Sequence, residues 1–92
     1  MIQSFKCSET QLLFEGGKAY HFVNFRAVAE RKLAMLHRAS VIDDLRIPPN
    51  NRLEKLSGDR AGQWSIRING QWRLCFEWQD GQAFNVEIVD YH

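Results

Sequence analysis

Ninety-two residues, 45% of them apolar and eleven aromatic, are enough to bury one core, so the chain is expected to form a single domain over residues 1–92. A formal net charge of +1 excludes a general polyanion binder, and no apolar run approaches a membrane span. Cys7 and Cys75 lack CxxC spacing and Met1 to Lys6 lack the pattern of a signal peptide, which together point to a cytoplasmic chain with reduced, buried thiols.

Met1 to Cys7, with Ile2, Phe5 and Cys7, is predicted as a first strand. Ser8-Glu9-Thr10-Gln11 has the capping-box pattern of a helix start, and Gly16-Gly17 stops that helix. Phe22, Phe25, Ala29, Leu33 and Leu36 recur at steps of three and four and predict a second helix with one apolar stripe. Arg26, Glu30, Arg31 and Arg38 occupy its other face. Ser40 to Leu45 adds a short turn, which Pro48-Pro49-Asn50 ends.

The period then changes to two. Trp64, Ile66 and Ile68 alternate with Ser65 and Arg67; Trp72, Leu74, Phe76 and Trp78 alternate with Arg73, Cys75 and Glu77; Phe84, Val86 and Ile88 form a third run. Asn69-Gly70 and Asp80-Gly81 separate these runs and are hairpin signals. The expectation is a three-stranded antiparallel meander with one apolar face, covered by the helices because so small a sheet is not stable alone. The class is α+β.

Charge is unevenly spread. Residues 46–73 carry Arg46, Arg52, Lys55, Arg60, Arg67 and Arg73 against Glu54 and Asp59, whereas residues 74–92 carry Glu77, Asp80, Glu87 and Asp90 and no Lys or Arg. A basic segment beside an acidic one suits a site that binds an anion and moves protons, although solvated surface has the same look. The hairpins bring Asp90, Tyr91 and His92, which follow an apolar strand directly, close to Arg73 at the start of the middle strand. Arg73 falls on the polar face, where its guanidinium can hold a phosphate or pair with Glu87 or Asp90. His92 titrates in the right range for proton transfer, Tyr91 can support phosphate or stack on a base, and Glu54 is a carboxylate in a basic stretch. Each also has a plain alternative as a packing or ion-pairing residue. His21 and His37 have no ligand spacing, Gly16-Gly17 lacks the context of a phosphate loop, and Ser57 and Ser65 lack that of a nucleophile elbow, so neither a metal nor a cofactor is expected.

Four segments carry a family resemblance: Asn51 to Arg60 (Asn-Arg-Leu-Glu-Lys-Leu-Ser-Gly-Asp-Arg), Trp64 to Arg67, Gln71 to Phe76, and Val86 to His92, which ends Asp-Tyr-His. With Met1 to Phe5 and Ala29 to Leu36 they resemble the HigB toxins, the plasmid maintenance killer branch of the RelE superfamily, over essentially the whole chain. The resemblance implies a RelE-like fold, with an N-terminal strand and two main helices on one face of a mainly antiparallel sheet. It implies a type II toxin that cleaves mRNA in the A site of the 70S ribosome, without a metal. A HigA-like helix-turn-helix antitoxin would neutralise it, and operator DNA would be bound only through that complex. The family pattern matches Arg73, Asp90, Tyr91 and His92. It differs at Glu54 and Ser57, where some HigB proteins have His and Lys; other RelE-like toxins use Glu, Arg and His, a set that Glu54, Arg73 and His92 would supply. Arg46, Arg52, Lys55, Arg60 and Arg67 would then grip RNA backbone. A non-catalytic RNA- or protein-binding module of the same fold is the competing reading.

Overall fold

The computed structural model describes residues 1–90. Two helices, α1 (Ser8–Phe14) and α2 (Arg26–Arg38), precede a four-stranded antiparallel sheet of β1 (Glu54–Lys55), β2 (Gln63–Arg67), β3 (Trp72–Gln79) and β4 (Gln82–Asp90). The strands lie side by side in chain order. The meander expected from the alternation is present, and the two-residue β1 extends it along β2.

The core lies between the helices and one sheet face. Leu33 and Leu36 of α2 and Leu13 of α1 are fully buried against Ile66, Leu74, Phe76 and Val86. Each such side chain contributes roughly 1.5–3 kcal/mol on leaving water. Phe22 and Phe25 precede α2 in a tight helical turn, Tyr20–Phe25, and both rings pack on Trp72, with centroids at 5.9 and 5.2 Å. That stripe is therefore shared between a turn and a helix.

Three local expectations change. Cys7 is the N-cap of α1 and no side chain caps the helix. Thr10, expected inside a capping box, is fully buried, and its Oγ1 accepts the Ile88 amide of β4 at 3.1 Å. Asn69-Gly70 does form a hairpin, but neither residue is left-handed. The Asn69 side chain accepts the amides of Gln71 and Trp72 at 2.8 and 2.9 Å and turns the chain itself. Asp80-Gly81, by contrast, has positive φ at both residues (52° and 77°), as a two-residue hairpin turn requires. A Cβ on Gly81 would also meet the Ser40 carbonyl at 3.0 Å.

The third change is a bulge in β4. Asn85 has φ 52°, and the register between β3 and β4 shifts between Cys75 and Glu77. Phe84 thereby stands opposite Glu77 on the polar face, and Ala83 takes the buried place expected for Phe84. The first residues also respond to the bulge. They run parallel to β4 as two separate bridges, Ile2 to Ala83 and Phe5 to Val86, in place of a continuous strand. Between the bridges, Ser4 Oγ accepts the Asn85 amide at 2.9 Å. The outer edge of β4 is thus covered from Ala83 to Val86, and Thr10 meets it again at Ile88.

Of the two thiols, Cys75 is buried and Cys7 half-buried, and both are free. Burial raises the Cys75 pKa, so it is an inert thiol. No helix among the described residues is long and apolar enough to cross a membrane.

Candidate functional site

The sheet face turned away from the helices is built in rows, because residues in register across antiparallel strands share a face. One row runs Glu54, Ser65, Cys75, Glu87 from β1 to β4. The next runs Arg67, Arg73, Val89. Alternation thus delivers two carboxylates, Glu54 and Glu87, and two guanidinium groups to one surface. Ser65, Cys75, Arg73 and Glu87 are buried there, so a cover must exist on this side too.

The cover comes from the segments on either side of β1, residues 47–53 and 56–62. Asn51 anchors it: its side chain is fully buried, accepts from Lys32 Nζ, and donates to the Leu45 carbonyl at 3.1 Å. Arg52 follows in a left-handed conformation, φ 45°, which aims its carbonyl at the sheet. Arg73 Nη2 donates to that carbonyl at 2.7 Å, and Arg73 Nε donates to Ser65 Oγ at 2.9 Å. The orientation of the guanidinium is thereby fixed by one bond from Nε and one from Nη2. Farther along the loop, Arg60 reaches over the face to Glu87 Oε1 at 3.4 Å, and Lys6 approaches Glu87 Oε2 at 3.6 Å. Glu87 is thus the partner of Arg60 and Lys6.

The expected site residues separate as follows. Glu54, Arg67 and Arg73 share the polar face, Arg52 supports Arg73 through its backbone, and Arg60 lies across the face. Lys55 is in register with Trp64 and stands 5.7 Å over its ring, on the opposite side of β1 from Glu54. Arg46 bonds Asp43 at 2.9 Å in the exposed turn Ile42–Arg46. Asp90 is opposite Trp72, one place from Arg73, and Val89 takes the position beside Arg73. Asp90 Oδ2 accepts from Gln71 Nε2 at 2.9 Å, which ties β4 to the first hairpin. Tyr91 and His92 lie outside the described residues.

Ser65 and Asn51 were missed as site-building residues. The alternation that put Ser65 on Arg73's face was legible; Asn51 had no signal beyond being a polar residue beside Pro48-Pro49. The two described histidines have structural roles. His37 Nδ1 accepts the Ile2 amide at 3.1 Å, and His21 pairs with Glu9 at 2.6 Å. Among the described residues no group of three or more His, Cys, Asp or Glu is arranged to hold a metal ion.

An α+β domain with a helix layer on one sheet face and an arginine-centred polar surface on the other defines the RelE-like class of small toxins. Solved structures agree on the fold. Two YoeB–YefM toxin–antitoxin complexes from Staphylococcus aureus match all of this chain and 95% and 98% of theirs, with TM-scores of 0.63 and 0.57 at 20% and 18% identity. The model of the RelE-like toxin of type II toxin-antitoxin system HigB matches residues 3–92. Toxin HigB-1 of Vibrio cholerae is 40% identical over 96% of this chain and 95% of its own length. Endoribonuclease HigB of Proteus vulgaris is 36% identical over the full length of both. The chain belongs to the HigB family of type II toxins.

Proposed function

We propose that this toxin is a metal-independent endoribonuclease that cuts mRNA in the ribosomal A site. The observation that carries the reading is the fixed Arg73 guanidinium, held by Ser65 Oγ and the Arg52 carbonyl on the face that also bears Glu54. A planar cation held in advance suits the charge that builds on a phosphorane-like transition state. The relative named Endoribonuclease HigB supports the reaction class.

In the proposed mechanism the 2′-hydroxyl attacks the adjacent phosphorus, and the bond to the 5′-oxygen breaks. The products are a 2′,3′-cyclic phosphate and a free 5′-hydroxyl. Glu54 takes the 2′-hydroxyl proton, Arg73 neutralises the non-bridging oxygens, and His92 protonates the leaving oxygen. Tyr91 and Asp90 hold phosphate or orient His92. The two proton transfers are worth about 10²–10⁴-fold each. Glu54 and His92 exchange roles if their protonation order is reversed. Arg52, Arg60 and Arg67 add backbone attraction that weakens with salt, with Arg46 and Lys55 at the periphery. The partners of this reading are the 70S ribosome with mRNA and a HigA-like helix-turn-helix antitoxin, through which alone operator DNA is bound. The toxin–antitoxin complexes of the same fold support an antitoxin partner.

The test is cleavage of a translated mRNA by purified chain on intact ribosomes, mapped by primer extension, with and without EDTA under conditions that preserve the ribosome. The expected result is a cut only in translated message, unaffected by EDTA and abolished in a folded Arg73→Ala variant. A folded Arg73→Ala that cuts normally refutes the assignment. Arrest of growth without any cleavage supports the binding-module reading instead.

A further inference from the structure

At the end of the sheet next to Arg73, a polar cleft of about 350 Å³ opens between α2 and the β2–β3 hairpin. Arg31 and Lys32 of α2 line one side, and Arg67, Asn69 and Asn50 line the other. Among the described residues no carboxylate lines it. The three cations are arranged in different ways. Lys32 is held by the buried Asn51 side chain, Arg67 Nε donates to the Asn69 carbonyl at 3.1 Å, and Arg31 is exposed at the mouth. Burial, and then the Arg31 charge, lower the Lys32 pKa, as expected of a part-buried cation with a second cation beside it.

Such a crowd costs stability unless something negative enters. Water alone leaves the repulsion, whereas a phosphate oxygen removes it and accepts from the donors at the rim. Arg67 also joins the cleft to the site, because it stands in register with Arg73 across β2 and β3.

We propose that this cleft is a second RNA-backbone subsite, holding a phosphodiester next to the one on Arg73. The subsite rests on the RNA-cleavage reading for its placement along the strand, but its binding is measurable without cleavage. Arg31 is its main exposed donor, Arg67 spans both phosphates, and Lys32 supplies a fixed charge from below. A strand seated on both groups is held in line through the reacting phosphate, so the subsite acts on strand binding more than on the chemical step.

The probe is a short single-stranded RNA with 2′-O-methyl sugars throughout, which has no 2′-nucleophile and is not cut. Its affinity for the wild-type chain, Arg31→Ala and Arg38→Ala is measured over about 50 to 200 mM salt. Arg38 is exposed at the far end of α2, about 10 Å along the axis, and controls for the general loss of one charge. Arg31→Ala is expected to bind about tenfold more weakly at low salt. Its log–log salt slope should fall by about 0.7, one phosphate contact on a single strand. Arg38→Ala should leave that slope unchanged. Equal effects of the two substitutions overturn the subsite, and so does a wild-type chain that fails to bind the probe at low salt. Side-chain NMR signals of Arg31 and Lys32 that move with inorganic phosphate but not with the probe overturn the assignment to RNA. Failure of cleavage with the subsite intact shows up separately, in the ribosome assay with Arg73→Ala.

Discussion

Asn51→Ala is expected to destabilise the protein far more than a polar-to-alanine change in a loop usually does. Asn51 is fully buried and partners two groups, the Lys32 ammonium, buried but for its edge on the cleft, and the Leu45 carbonyl, the latter at 3.1 Å. Leaving a buried carbonyl unsatisfied costs about 1–3 kcal/mol, and losing a hydrogen bond to a charged group about 1.5–3. The expected total is about 3–5 kcal/mol. Urea unfolding followed by circular dichroism should show the midpoint falling by about 2–3 M at a slope near 1.5 kcal/mol/M. The cause is separable by a double-mutant cycle. In a Lys32→Met background, where no charge is stranded, Asn51→Ala should cost at least about 1.5 kcal/mol less. A cost below about 1 kcal/mol, or strict additivity in the cycle, refutes the view that Asn51 anchors the loop by pairing with Lys32. Because Arg52 follows Asn51 directly, the surviving folded fraction should also cleave more slowly per molecule.

The remaining predictions follow from single contacts. Arg73→Lys, which cannot keep both the Ser65 and Arg52 bonds, should lower single-turnover cleavage by about 10²-fold or more with near-native circular dichroism. Ser65→Ala removes only the Nε acceptor; it should lower the same rate less than Arg73→Lys does, and an equal loss would mean that Ser65 does more than position Arg73. Thr10→Val keeps the shape but strands the Ile88 amide, so stability should fall by about 1–3 kcal/mol and that amide should exchange faster with solvent. Asp44 accepts the Ser40 and Val41 amides, and these bonds lower its pKa from 3.8. Its contribution to stability is therefore complete above the unfolded value and is lost as pH falls through the folded one. Asp44→Asn should narrow the stability difference between neutral and acid pH, and an unchanged acid limb would sink the argument.

How far the sequence was legible depended on the range of the interaction. Period-two alternation located β2 and β3 and placed Ser65, Arg67, Arg73 and Cys75 on one face, since a strand's geometry is local. The same rule failed at Phe84, because the bulge at Asn85 depends on how β4 meets both β3 and the first residues of the chain. Alternation left the register of Asp90 open; it stands opposite Trp72, one place from Arg73, and a one-place offset moves a side chain to the other face. Thr10 shows the same contest in α1: a local capping pattern lost to a bond with a strand 78 positions away. That the loop before β2 crosses the sheet surface could be entertained from the hairpin geometry, but its path could not be fixed. It hangs on Asn51 and Lys32, and helical periodicity does not distinguish Lys32 from its exposed neighbour Arg31. Arg73 was legible as a polar-face arginine; that it would be clamped by a backbone carbonyl was not.

The pairing of residues 2–5 with residues 83–86 closes a loop that spans most of the described residues. Closure over such a span is entropically slow, so this seam belongs to the late part of folding. It also imposes an order on synthesis. The early segment must wait, unpaired, until β4 has left the ribosome, and only then does the strand beside Arg73 acquire its outer neighbour.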